Sequence, residues 1–215
     1  MLLAWGQVII AALIALFPIV DPIGAIPTFV VITEGDSEAR RRQQLKKACV
    51  YVFILLSLFL VGGNAIMRFF GISIPGIRIA GGLILFQMAH NMLQAQPKYK
   101  QTREEQTESV NKPDVSFTPL AMPLLSGPGA IAVTLGLTAS IHHWYDYAAI
   151  LIAIAIVTLS TWLILHASAK VSTFLGVTGM NIVERMMGFL LLCMSVQFII
   201  NGVINVINEL RHWGV

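Results

Sequence analysis

Phe17-Pro18-Ile19-Val20-Asp21-Pro22-Ile23-Gly24-Ala25-Ile26 sets two prolines and a carboxylate in the middle of an apolar run that covers residues 2–33. Proline removes a backbone donor and clashes with the preceding turn, so this run is not one straight helix. At about 1.5 Å per residue it is also too long for one straight crossing of a roughly 30 Å hydrocarbon layer. Two pieces meeting near mid-membrane satisfy both constraints. Asp21-Pro22 reads as a helix start, with Asp as the cap and Pro in the first turn. The stretch recurs 105 residues later as Met122-Pro123-Leu124-Leu125-Ser126-Gly127-Pro128-Gly129-Ala130-Ile131, pairing Pro18 with Pro123, Asp21 with Ser126, Gly24 with Gly129 and Ala25 with Ala130. A polar break that recurs in the same place in each half points to a duplication built around it.

The rest of the chain agrees with a membrane setting. Of its 215 residues, 56% are hydrophobic and 12% charged, against about 25% charged in soluble domains. The net charge of +3 is modest, and the basic residues gather between apolar runs, where anionic lipid headgroups suit them better than nucleic acid does. Cys49 and Cys193 sit in or beside apolar runs without metal-ligand spacing and read as packing residues. The apolar N-terminal run has no Lys or Arg before Arg40 and reads as retained rather than cleaved.

Working outward from the breaks, residues 34–47 are expected to form a polar loop, 48–67 a second helix, 68–76 a short loop and 77–94 a third helix. Residues 97–116 (PKYKQTREEQTESVNKPDVS) lack apolar periodicity and read as a linker. Residues 117–141 form a fourth, broken element, 142–146 a polar turn, 147–167 a fifth helix, 170–181 a loop and 182–207 a sixth helix. The repeat continues beyond the breaks: Arg78-x-x-Gly81 matches Arg185-x-x-Gly188 at an offset of 107. The expected fold is therefore all-α. It is a polytopic membrane protein with six transmembrane helices, arranged as two three-helix repeats over 1–96 and 117–215, with broken first and fourth helices. Three spans per half force the second repeat to enter inverted. Arg40, Arg41, Arg42, Lys46, Lys47, Lys98, Lys100, Arg103, Lys112 and Lys170 fall on one side, while Arg68, Arg78 and Arg211 fall on the other. The positive-inside rule then makes the 97–116 linker cytoplasmic and both termini periplasmic.

The breaks are the candidate binding site. A break in lipid is tolerated only where it is buried in protein or lines a cavity. If the halves are inverted, two helix N-termini meet at the midplane, one capped by Asp21 before Pro22 and Gly24, the other by Ser126 before Gly127 and Gly129. Their free N–H groups and dipoles would favour an anionic group such as a carboxylate. A kink that serves only packing is the plainer reading, but an acid at this depth is expensive without a role. Arg78 and Arg185 open the third and sixth helices and are candidates for gating, or for snorkelling to the interface. Gln87 and Asn91 on the third helix, and Gln197 and Asn201 on the sixth, are candidates for a polar pathway or for interhelical bonding. No metal-ligating cluster, P-loop or nucleophile constellation occurs in the sequence, so an enzyme is not expected.

Four motifs resemble the MarC family of bacterial inner-membrane proteins. They are Asp21-Pro22-Ile23-Gly24; residues 70–82 (FGISIPGIRIAGG); Leu120-Ala121-Met122-Pro123 with Ser126-Gly127-Pro128-Gly129; and Arg185-Met186-Met187-Gly188 with Val196-Gln197-Phe198-Ile199-Ile200-Asn201-Gly202. They occur in order from the first helix to about Ile207. The resemblance implies six spans in the bacterial inner membrane. It also implies a link to small-solute transport, since an archaeal branch is described as carrying neutral amino acids such as glycine and alanine. The expected function is secondary transport coupled to H+ or Na+, with no other cofactor. A lipid or polyprenyl-phosphate translocase and a non-transporting scaffold or stress-related protein are the alternatives. Expected partners are membrane lipids and a small solute, not nucleic acid, and a homo-oligomer is compatible with the sequence.

Overall fold

The structure is a computed structural model that describes residues 2–94, 114–138, 141 and 143–212. Most of the expected 97–116 linker, with Lys98, Lys100, Arg103 and Lys112, lies outside the described residues, as does His142. The described secondary structure is helical.

Helix α1 (Leu2–Val20) contains Pro18 and ends where Asp21 N donates to Phe17 O at 3.0 Å. A turn over residues 22–25 leads into the short α2 (Ile26–Ile32), closed by Thr33, whose hydroxyl donates to Phe29 O at 2.7 Å. Helix α3 (Glu38–Phe70) begins ten residues before the expected start. Ser37 caps it by accepting from Arg40 N, and Glu38 complements the dipole in its first turn. Asp36–Arg40 and Glu38–Arg42 ion pairs, each spaced i,i+4, reinforce the same turns. The expected polar loop is thus mostly helix. At 33 residues α3 is roughly 50 Å long, so its basic first turns project beyond the apolar layer. It ends at Gly71, whose left-handed φ of 66° lets Ile72 N reach back to Met67 O. Helix α4 (Ile74–Leu93) follows almost at once, capped by Ser73 on Gly76 N at 3.2 Å.

The segment Ser116–Leu125 is wound in wide turns, with Leu120 N bonded to Val115 O and Ser126 N to Ala121 O. Thr118 and Met122 are extended, and each precedes a proline, Pro119 or Pro123. A proline ring pushes the residue before it out of the helical region, which accounts for both. The fourth element is therefore interrupted at Thr118 and Met122 as well as at the expected Ser126-Gly127. It then bends by 60° into α5 (Pro128–Leu137). Helix α6 (Trp144–His166) starts where the Asp146 carboxylate accepts from His143 N at 2.9 Å. Helix α7 (Ser168–His212) runs through the expected 170–181 loop and leaves helical geometry only at Gly176, φ 60°.

Among the described residues three helices, α3, α6 and the Thr178–Arg211 part of α7, are long and apolar enough to cross a membrane, and the bent pair Ser116–Leu125 with Pro128–Leu137 makes a fourth. Large apolar side chains such as Ile14, Leu58, Val61, Leu159 and Phe189 are exposed, while Leu16, Phe29, Leu56, Leu85, Leu120 and Ile150 form the core. Apolar residues on both surfaces of a helix mark lipid as the solvent.

Two antiparallel helix pairs hold this bundle in register. Arg41 of α3 donates at 2.7 Å to Ser168 Oγ, at the start of α7 just past the end of α6, and Asn64 of α3 donates to Tyr147 at 3.1 Å near the other end of α6. Between α4 and α7 the backbones approach through glycine. A Cβ at Gly82 would lie 2.9 Å from Ser195 O, at Gly188 3.3 Å from Ala89 O, and at Gly202 3.1 Å from Pro75 O. Small residues that admit close backbone approach are how membrane helices associate without a hydrophobic drive between them.

Candidate functional site

The two breaks are built differently. At the first, Asp21 adopts φ 46°, an uncommon region for a residue with a side chain. Its Oδ1 accepts from Gly24 N at 3.0 Å, and its carbonyl accepts from Ala25 N at 3.1 Å. Asp21 thus caps the turn as expected, but α2 does not begin until Ile26, and Ala25 stands at its cap position without a side-chain bond. Asp21, Pro22 and Gly24 are all buried. A Cβ on Gly24 would overlap the Asp21 carboxylate, so glycine is what lets the carboxylate fold over the turn.

At the second break the expected cap is corrected. Ser126 does not cap α5; its hydroxyl and its N–H both donate back to Ala121 O, at 2.8 and 2.9 Å. Gly127, extended at φ −66° and ψ 179°, is the residue before the helix and offers no side chain. A serine hydroxyl can donate where an ionised carboxylate cannot, and here it shares the upstream Ala121 carbonyl with its own N–H. A Cβ on Gly127 would come within 2.5 Å of Pro123 O, so the chain folds back tightly on itself. Gly129 lies two residues on, against Leu85 and Met88 of α4 and Ile19 of α1. That last contact joins the first turn of α5 to the end of α1, two residues before Asp21.

A cavity of about 280 Å³ opens between α4 and the second break. Ile84, Gln87, Met88 and Asn91 of α4 form one wall; Pro123, Leu124, Gly127 and Pro128 form the other. Two of the four pathway candidates, Gln87 and Asn91, therefore face the second break. The other two do not: Gln197 Nε2 donates to Asn201 Oδ1 at 2.9 Å, with Gln197 on the exposed side of α7. Helical spacing put both pairs on a stripe, but only the α4 stripe meets a break. Ile84 and Met88 were not singled out from the sequence. Their i,i+4 relation to each other, alternating with Gln87 and Asn91, is the signal that would have found them.

Arg78 is half-buried near the start of α4, and Arg185 is exposed on α7. The antiparallel packing of these helices places the two arginines at opposite ends of the pair, and neither lines the cavity. Just outside the apolar layer, Lys47 donates to Asp114 at 2.7 Å, and Asp114 also accepts from Ser116 N at 3.0 Å. The Lys47 hydrogen bond holds the Asp114 carboxyl down at about 2, and the same bond raises Lys47. This pair ties α3 to the chain leading into the second break. Among the described residues no group of His, Cys, Asp or Glu is arranged to hold a metal ion.

A polytopic helical bundle with buried proline-glycine breaks and a small cavity between helices is the architecture of an integral membrane protein. Comparison with known proteins agrees. A family model described as "MarC family integral membrane protein" matches residues 6–207. The "UPF0056 membrane protein YvbG" of Bacillus subtilis is 40% identical over 193 residues, covering 89% of this chain and 92% of that protein. The "UPF0056 inner membrane protein MarC" of Salmonella typhimurium is 36% identical over 206 residues, covering 91% and 93%. A "UPF0056 membrane protein" of Buchnera aphidicola is 36% identical over 199 residues, covering 93% of each chain. No solved structure matches. The chain belongs to the MarC family of integral membrane proteins.

Proposed function

We propose that this protein is a secondary transporter of a small solute, with a neutral amino acid as the preferred class and H+ or Na+ as the coupling ion. The observation that carries the reading is the cavity in which Gln87 and Asn91 face the Gly127-Pro128 break. The first amides of α5 precede any intrahelical partner, and the helix dipole adds positive potential there. A carboxylate suits that end, and the two side-chain amides supply further donors and acceptors. A volume of about 280 Å³ is below the usual 300–1,000 Å³ range of drug-sized sites, which favours a small solute. Asp21, two residues beyond the Ile19 contact with Gly129, is the candidate for the coupling cation.

In this reading the chain crosses the membrane six times. Its spans are α1 with α2, α3, α4, the bent 116–137 element, α6 and α7, with both termini periplasmic and each half an inverted copy of the other. Equivalent helices of the two halves pack together: α3 with α6 and α4 with α7 run antiparallel, and α1 touches α5. An in-plane two-fold axis produces that arrangement. The alternative of a phosphate-bearing lipid substrate is disfavoured because Arg78 and Arg185 stay off the cavity.

The test is flux of labelled glycine and alanine into proteoliposomes under imposed sodium or pH gradients. Gradient-driven uptake that is lost in Gln87→Ala and Asn91→Ala supports the site. Absence of flux in a folded, inserted sample sinks the amino acid reading, and uptake of phospholipid or polyprenyl-phosphate in the same vesicles would put the translocase in its place.

A further inference from the structure

A second feature lies away from the breaks, on the lipid-facing seam of α3 and α6. There a groove of about 500 Å³ runs between Cys49, Val50 and Phe53 of α3 and Ala155, Leu159 and Trp162 of α6. Thr158 also lines it, but its hydroxyl is spent on Ile154 O at 2.9 Å, which leaves the groove apolar along its length. From Lys46 to Phe53 it follows about 10 Å of helix axis. Lys46 closes one end and is the charged residue in the lining. It is exposed, and no ion pair to another described residue holds it, whereas its neighbour Lys47 is taken up by Asp114.

One helical turn further on both helices the seam becomes basic. A pocket of about 140 Å³ is bordered by Arg41, Arg42 and Glu38 of α3 and His166 of α6. Trp162 and His166 stack at 5.2 Å, so the wall of the groove continues into the wall of the pocket. Glu38 is matched by Arg42. Arg41 bonds to the neutral Ser168 and lies 4.8 Å over the Phe29 ring, and like Lys46 it makes no ion pair with a carboxylate among the described residues, since Glu38 is paired with Arg42.

We propose that the α3–α6 seam binds one anionic phospholipid, with an acyl chain in the groove and the headgroup phosphate held by Lys46 and the adjoining basic pocket. The groove matches the apolar chain. The excess positive charge at one end only matches a phosphodiester and fixes the lipid's direction. A zwitterionic lipid would place its cationic group among the same cations and lose that advantage.

Trp162 reports directly on the groove. The full chain carrying Trp5→Phe, Trp144→Phe and Trp213→Phe keeps it as the single indole. It is reconstituted in phosphatidylcholine vesicles containing an equal minor fraction of either chain-brominated phosphatidylglycerol or chain-brominated phosphatidylcholine. Brominated phosphatidylglycerol is expected to quench Trp162 well beyond its share of the bilayer, and brominated phosphatidylcholine only in proportion to its share. Lys46→Gln should cut that preference roughly fivefold, the value of one interfacial cation, while Lys47→Gln leaves it in place. Ala155→Leu, which fills the groove, should abolish the excess quenching by brominated phosphatidylglycerol. Equal quenching by the two lipids, or a phosphatidylglycerol preference undiminished by Lys46→Gln, overturns the proposal. So does displacement by soluble glycerol phosphate alone, which would show an anion site that makes no use of the groove.

Discussion

At the first break a carboxylate reaches forward: Asp21 accepts from Gly24 N, three residues downstream, and the chain turns over it into α2. At the second a hydroxyl reaches back: Ser126 donates to Ala121 O, five residues upstream, and α5 starts bare at Gly127. The two sites occupy matching places in the sequence and obey opposite bonding rules. An acid can only accept when ionised, and the turn after Asp21 presents N–H groups. Serine can donate, and the wide turn before it presents a carbonyl. The consequence is a division of labour. The first break keeps its carboxyl group bonded to the backbone, while the second leaves a helix N-terminus open to the cavity lined by Gln87 and Asn91.

This contrast can be broken most sharply at Asp21. Asparagine keeps the acceptor oxygen for Gly24 N and tolerates positive φ, so Asp21→Asn should fold normally. If the carboxylate binds the coupling cation, gradient-driven flux should fall by 10-fold or more, on the order of a lost charge-assisted contact. Unchanged flux with unchanged ion dependence would reduce Asp21 to a cap. Asp21→Ala should instead lower thermal stability, since a lost cap costs about 1 kcal/mol.

Next come the glycines. Gly127→Ala sets a methyl 2.5 Å from a backbone oxygen of the same tight turn, and overpacking of this kind costs roughly 1–3 kcal/mol. Gly24→Ala meets only the Asp21 side chain, which can rotate away by giving up its bond to Gly24 N. Thermal unfolding in detergent should therefore show the larger loss for Gly127→Ala. The reverse order would mean that the first break is the more rigid.

Ser126→Ala is expected to be mild, about 0.5–1.5 kcal/mol, because Ser126 N still occupies the same carbonyl. An effect on transport larger than its effect on stability would show that the hydroxyl turns toward the cavity during the cycle. The smallest effect belongs to the tether outside the membrane. Asp114 is held at about 2, below the ordinary carboxylate value, so its contribution is present above about pH 4 and is lost as pH falls toward 2. Lys47 is raised, so its part is present below its ordinary value and is lost only as pH rises past it. Hydrogen exchange at Ser116, whose amide Asp114 accepts, should be insensitive to pH-driven loosening between 5 and 9 once intrinsic rates are removed, and should become sensitive below 4.

Much of this was open to reading from the chain. Pro22, Pro123 and Pro128 act on their own backbone, so the breaks after Val20 and at Ser126-Gly127 fall where the sequence places them, while Pro18 stays inside α1 and Thr118 adds an interruption before Pro119. The four family motifs located the chain in its family before any geometry. Helices α3 and α7 extend through stretches whose polarity suggests loops, because polarity alone does not end a helix. The run after Ser37 is rich in helix formers and i,i+4 ion pairs, and of the Gly and Thr residues over 170–181 only Gly176 leaves the helix. The direction of the Ser126 bond was also beyond sequence, since a serine before Gly-Pro serves equally well as cap or donor.

What the sequence settled by itself is the membrane character and the positions of the breaks. Those depend on hydropathy and on the φ and donor restrictions of proline, which act within a few residues. What only the tertiary structure decided is which polar groups meet. Gln87 and Asn91 face the second break, while Gln197 and Asn201, equally well spaced, bond to each other on the outer side of α7. The choice rests on how α4 is rotated when Gly82, Gly188 and Gly202 bring it against α7. It is a contact between helices about a hundred residues apart, and no local rule records it.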